Sequence, residues 1–202
     1  LGNIHPALQL EVLGQMKDQA TPPKLVACDT MNFWIQGEPK LLAEVLSKID
    51  LLIINDEEAR ELAGISNVAR AAGEIRRRFS EHRKDRPLRL VVKKGEHGAL
   101  LFDDAGAFFA PAYPLEEVRD PTGAGDSFAG GLIGYLARMD DASHSAVRRA
   151  MYHGATLGSF CVEDIGTKCL TGVTQAAYKA RIDAFARFVD YGGDLWQVPG
   201  VH

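Results

Sequence analysis

The chain has 202 residues, 46% hydrophobic and 25% charged, which is enough apolar content for one domain with a buried core. Its formal net charge of −4 and pI near 5.9 argue against a general nucleic-acid binder, whose surface is usually basic. A local positive pocket for a phosphate-bearing ligand stays compatible with that balance.

Taken in chain order, short apolar runs alternate with amphipathic stretches. This pattern predicts a layered α/β fold with a largely parallel sheet. The spacing predicts a helix over Pro6–Lys17, started by a proline, and a strand over Lys24–Asp29. A helix over Pro39–Ser47 and a buried strand over Asp50–Asn55 follow. Helices are expected at Asp56–Leu62 and Val68–Ser80, then a strand at Arg89–Lys93. The middle reads as short antiparallel strands at Gly98–Phe102, Ala107–Ala110 and Glu117–Arg119, with turns at Asp103–Gly106 and Pro111–Pro114. Helices resume at Asp126–Met139, Ser143–Phe160 and Thr174–Tyr191. No internal repeat or long linker interrupts the chain, so residues 1–202 read as a single domain.

No apolar stretch reaches the ~20 residues that span a bilayer. The start, LGNIHPALQL, lacks the basic region and apolar run of a secretory leader. Leu1–Ile4 reads as the end of a buried segment, so the chain is expected to begin inside a longer protein. Three cysteines without CxxC spacing and six scattered histidines point away from a disulfide framework or zinc site and toward a reducing, cytoplasmic setting.

In open α/β sheets, ligands bind beyond the carboxyl ends of the strands. Three polar clusters fall there: Asn55–Glu58, Lys93–Gly98 and Asp120–Asp126. The most specific is Asp120-Pro-Thr-Gly-Ala-Gly-Asp126, followed by the helical SFAGGLIGYLA. Gly123 and Gly125 permit a tight turn. A helix that starts there offers free N–H groups and a positive dipole end to an anion. Asp126 stands where a carboxylate can take a proton from an attacking hydroxyl. The alternative is a plain helix start capped by Asp126. The run is neither a P-loop nor a dinucleotide-binding GxGxxG motif.

Residues Asp120–Gly131 resemble the C-terminal signature of the ribokinase/PfkB family of carbohydrate and nucleoside kinases. The resemblance implies a ribokinase-like α/β/α fold with a mostly parallel central sheet. It also implies ATP as phosphoryl donor, Gly123, Ala124 and Gly125 as the anion hole, and Asp126 as general base. Asp120 and Thr122 match positions that hold a monovalent cation such as K⁺ in several members. Asn55-Asp56-Glu57-Glu58 resembles the family's Asn-x-x-Glu motif, which implies that Asn55 and Glu58 serve the nucleotide, with Glu58 ordering Mg²⁺ through water. The rival reading makes Asn55 a helix cap with acidic residues in the first turn.

Val91–Leu101 resembles the family's nucleotide-touching strand–turn–strand. Lys93 is then a phosphate or ribose contact, and Gly95 and Gly98 form the turn; a solvated hairpin is the alternative. The small residues Gly154, Ala155 and Gly158 would let adenine approach the helix, with Val162–Gly166 bordering the nucleotide; tight helix packing is the alternative there. The resemblance covers nearly the whole chain in the family's motif order. It lacks the N-terminal portion with the acceptor-binding Gly-Gly motif and the β-strand lid, through which members often form homodimers. The expected partners are ATP and a small sugar or nucleoside, with no membrane and no nucleic acid. A vitamin kinase of the same superfamily and a catalytically weak nucleotide-binding module are the alternatives.

Overall fold

The computed structural model describes residues 1–17, 19–81, 83, 85–166 and 168–190. Its five strands are β1 (Ala27–Cys28), β2 (Leu51–Asn55), β3 (Arg89–Lys93), β4 (Ala99–Asp103) and β5 (Gly106–Ala110). They lie side by side in that order. β1, β2 and β3 run parallel, with Leu52 beside Leu90 and Asn55 beside Lys93. β4 and β5 continue the sheet antiparallel, so the sheet is mixed, parallel only in its first three strands.

Side-chain alternation along these strands builds two cores. Leu52, Ile54, Leu90 and Val92 face Leu42, Val45 and Leu46 of α3 (Pro39–Leu46) and Ile75 and Phe79 of α5 (Val68–Ser80). Leu51, Ile53 and Val91 face the other way, onto Phe128, Leu132 and Leu136 of α6 (Ala124–Met139) and Val147, Ala150 and Met151 of α7 (His144–Cys161). α1 (Pro6–Lys17), α2 (Asn32–Gly37) and α4 (Asp56–Ala63) complete the first layer, and α8 (Lys168–Thr171) and α9 (Gln175–Val189) follow α7.

Local signals explain most boundaries. Pro39 opens α3, Asn67 caps α5 through the amide of Arg70, and Ser143 and Thr174 cap α7 and α9 in the same way. Four expectations change. β1 is shorter than Lys24–Asp29, because Val26 already spends its carbonyl on the amides of Asp50 and Leu51. α2 appears where the sequence shows only a polar, aromatic stretch. Glu117–Arg119 joins no strand; the amides of Arg119 and Asp120 bond the carbonyl of Val162 at the end of α7. α6 starts at Ala124, so Asp126 lies inside its first turn. The expected helix end at Tyr191 falls outside the described residues.

Candidate active site

The parallel strands deliver their carboxyl ends to one rim, and the loop that starts α6 meets it there. Gly123 is the N-cap of α6, in the left-handed region at φ 80° and ψ −2°, with no capping side chain. This replaces the alternative in which Asp126 is the cap. The first-turn amides of a helix have no intrahelical acceptor; here no side chain caps them, and the Ala124 amide donates to the Pro121 carbonyl at 3.1 Å. Ser127 reinforces the turn: its amide and Oγ both donate to the carbonyl of Gly123, the latter at 2.8 Å.

Lys93, at the end of β3, reaches this turn. A methyl group placed on Gly125 would lie 2.8 Å from Lys93 Nζ, so the ammonium rests against the glycine backbone beside the helix start. That contact supplies a reason for glycine at position 125: a side chain there would displace the cation. The pairing of Asn55 with Lys93 across β2 and β3 brings the second cluster alongside. Asn55 and Glu58 form a reciprocal capping box. The Glu58 amide donates to Asn55 Oδ1 at 2.7 Å, and the Asn55 amide donates to Glu58 Oε2 at 2.8 Å. The capping role is therefore real, yet Glu58 is buried. Desolvation pushes its carboxyl above the usual range, opposed by the Asn55 hydrogen bond and by Lys93.

A residue not singled out in the sequence completes the rim. Asp29 follows β1 as Asn55 ends β2 and Lys93 ends β3. Burial raises its carboxyl, the Lys93 charge opposes that shift, and the Asp126 charge adds to it. Its Oδ1 is buried without a hydrogen-bond partner, as is Oγ1 of the adjacent Thr30. Asp29 also borders a hollow of about 210 Å³ whose other wall is Ala129, Gly130 and Ile133 of α6. Those residues lie on the helical face that continues down from Asp126. The available signal was positional, a carboxylate at a parallel strand's carboxyl end.

The remaining candidates take other places. Asp120 Oδ1 accepts from the Thr122 amide at 2.9 Å. Thr122 and the Gly166 amide hold the Asp120 carboxyl below the ordinary aspartate range. Val162 anchors this loop through its carbonyl, and Cys161 Sγ lies 3.5 Å from the carbonyl of Thr122 beneath the turn. Gly95 adopts φ 56° with open space around it. Gly98 is required by the backbone: at φ 87°, a methyl there would sit 2.3 Å from the carbonyl oxygen of Ala110. Gly154 fits the packing alternative. It is buried in the α6–α7 crossing, where a methyl would meet the Phe128 carbonyl oxygen at 2.7 Å, so helix packing by itself requires a glycine here. Gly158 packs similarly, against the Ala124 carbonyl at the start of α6.

The rim thus gathers an uncapped helix start, one lysine and three carboxylates. Two of those carboxylates, Asp29 and Glu58, have raised affinity for a proton and thus for a compensating cation. Oxygen donors of this kind suit Mg²⁺, which takes few protein ligands and completes its shell with water and phosphate oxygens. Among the described residues no three His, Cys, Asp or Glu side chains cluster as a self-sufficient metal site, and no helix is long and apolar enough to cross a membrane.

The chain as a whole resembles known proteins. The chain is 39% identical over 140 residues to the cytidine kinase of Thermococcus kodakarensis, covering 67% of this chain and 46% of that protein. It is 29% identical over 124 residues to the aminoimidazole riboside kinase of Salmonella typhimurium, covering 61% and 36%. The chain therefore spans less than half the length of these relatives. Among solved structures, the fructokinase of Vibrio cholerae with bound fructose, ADP and potassium superposes with a TM-score of 0.71 at 22% identity, over 87% of this chain and 55% of that one. The nucleoside kinase of Methanocaldococcus jannaschii superposes with a TM-score of 0.67 at 22% identity, over 91% and 55%. These likenesses establish the ribokinase-like fold. Residues 6–171 match the pfkB family of carbohydrate kinases, and the chain belongs to that family.

Proposed function

We propose that this chain carries the ATP-handling and proton-abstracting half of a kinase that moves the γ-phosphoryl group of ATP to a hydroxyl of a sugar or nucleoside. The observation that carries the reading is the contact of Lys93 Nζ with the Gly125 backbone at the uncapped start of α6. There a cation and helix N–H groups converge one residue before the carboxylate of Asp126. The ATP analogue bound by the Salmonella enterica aminoimidazole riboside kinase, and the acceptors named for the cytidine and aminoimidazole riboside kinases, support the same class.

In this mechanism Asp126 accepts the proton of the attacking hydroxyl. The amides of Gly123 and Gly125, and that of Ala124 once it leaves the Pro121 carbonyl, would face the charge that develops on the transferring group. Lys93 neutralises phosphate charge from the sheet side, with Gly95 in the adjoining turn. Asp29 and Glu58 would hold Mg²⁺ through water, and that ion when bound neutralises charge on the phosphates. Asp120 and Thr122, with the Val162–Gly166 loop, are the candidate monovalent-cation position. Because phosphoryl transfer depends on positioning and electrostatics, turnover by this portion alone would be weak.

Isothermal titration with a non-hydrolysable ATP analogue and Mg²⁺ tests the reading. Binding that weakens on Lys93→Ala and survives Asp126→Asn supports a nucleotide site with a separate base. Absence of any binding to a chain shown to be folded removes the proposal.

A further inference from the structure

The turn that opens α6 is reached through a loop with no framework of its own. From Pro111 to Gly123 the chain runs without helix or strand, so contacts to other elements place it. The amides of Arg119 and Asp120 both donate to the Val162 carbonyl, at 2.8 and 3.3 Å. Asp120 then holds the Thr122 amide at 2.9 Å, and Cys161 Sγ lies 3.5 Å from the Thr122 carbonyl. Cys161 ends α7 and Val162 is its C-cap, so the loop takes its position from the last turn of α7.

That last turn is gripped by one side chain of α9. Arg181 donates to both carboxylate oxygens of Glu163, each at 2.9 Å, and to Ser159 Oγ at 3.1 Å. Its guanidinium lies 3.6 Å from the centroid of the Phe160 ring. Val162 is therefore flanked in sequence by residues that one planar group holds. The same guanidinium faces the Tyr113 ring at 5.2 Å, near the start of the loop. The Arg181 side chain is 16% exposed, and a bidentate, shielded fork fixes geometry better than a surface ion pair. Docking of α9 has another source: one turn further on, Phe185 is buried and meets Tyr152 of α7 edge-on at 5.3 Å. α9 also lies beyond the residues that match the family.

We propose that Arg181 is a positioning residue for phosphoryl transfer: by holding Glu163 and the end of α7, it fixes the Val162 carbonyl and, through it, the turn that presents Gly123, Gly125 and Asp126. This rests on the kinase reading above. Amides that stabilise developing charge act only when they are preorganised, and a displacement of ~1 Å at a reacting group can cost ~10²-fold in rate. A loop without helix or strand gains that order from what it is fastened to. Lysine at position 181 would keep the charge but lose the planar fork that spans both Glu163 oxygens.

The test records the NMR amide signals of Gly123, Ala124 and Gly125 and, by calorimetry, binding of the ATP analogue with Mg²⁺. It compares wild type, Arg181→Ala, Arg181→Lys, Glu163→Gln, the Arg181→Ala/Glu163→Gln double variant and Lys179→Ala. Arg181→Ala and Glu163→Gln should shift those amides and weaken analogue binding on the order of tenfold. The double variant should lose no more than Arg181→Ala alone, since the pair acts as a unit. Lys179→Ala removes an exposed ion pair of the same helix and should leave both readouts at wild type. A lowered melting temperature without movement of those amides, or losses that add in the double variant, overturns the proposal, because a merely structural pair behaves that way. Should Arg181→Ala fail to fold, Arg181→Lys and Glu163→Gln decide in its place. Wild-type binding that neither single variant weakens overturns this proposal alone, whereas a wild type that binds no analogue strikes the kinase reading and this proposal with it.

Discussion

The two ends of the sheet treat the same residue types in opposite ways. At the amino-terminal end Asp50 is buried and saturated: it accepts the Val26 amide at 2.8 Å, Arg83 at 2.5 Å and Arg86 at 3.0 Å. Asp103, also buried, takes the Ala105 amide and His144, each within hydrogen-bond distance. At the carboxyl end Asp29 is half-buried with an unpartnered oxygen, and Glu58 satisfies a helix cap with one oxygen. Among the described residues Lys93 lies against a glycine and forms no ion pair. Buried charge is tolerable when its partners are present. Where they are missing, the proposed reading is that charge arrives with a ligand. One end holds the fold together, and the other holds electrostatic potential in reserve.

This contrast can be broken most sharply at Asp126. Asp126→Asn should lower kcat in an ATP-dependent transfer assay by about 10²–10⁴-fold, the worth of a positioned base, with ATP-analogue affinity nearly unchanged. Turnover equal to wild type would remove Asp126 from that role. At the opposite end, Asp50→Ala should cost roughly 3–5 kcal/mol of stability in urea unfolding, because it strands two arginines and a buried amide. A loss below ~1 kcal/mol would mean that water satisfies those groups and that the two ends differ less than the contacts suggest.

Two glycines sharpen the comparison next. Gly98→Ala drives a methyl into backbone at a left-handed φ and should destabilise the chain by about 1–3 kcal/mol. Gly125→Ala meets only the flexible tip of Lys93. It should leave the melting temperature nearly unchanged while weakening ATP-analogue binding on the order of tenfold, as a displaced charged contact would. Equal effects of the two on stability would refute the division.

The smallest expected effect concerns Asp29→Asn. A carboxyl whose folded pKa is raised binds more protons folded than unfolded, so its contribution to stability falls as pH rises through the range above 3.8. Removing the charge should therefore raise the melting temperature at pH 7, by roughly 2–4 °C for each ~1 kcal/mol relieved. That gain should shrink as the pH is lowered toward the ordinary aspartate range. A melting temperature lowered at pH 7 would show that Asp29 is a stabilising contact and not a strained functional group.

Much of this molecule was legible in the chain itself. LLIIN and RLVVK could only be buried strands, since each presents apolar side chains to both faces, and both cores use them. Asn55 and Glu58 carried a capping box in their spacing, and the glycines of the Gly123–Asp126 turn announced a helix start. All of these depend on residues within a few positions of one another. Tertiary structure decided the rest. Only the parallel register of β2 and β3 places Lys93 beside Asn55, only the packing of α6 on the sheet brings Gly125 under its ammonium, and only the α6–α7 crossing gives Gly154 a packing reason to be glycine. Asp29 showed no local pattern of its own, because what sets it apart is a missing partner. A missing partner is a property of the space around a side chain, made by segments distant in sequence, and it exists only once the chain has folded.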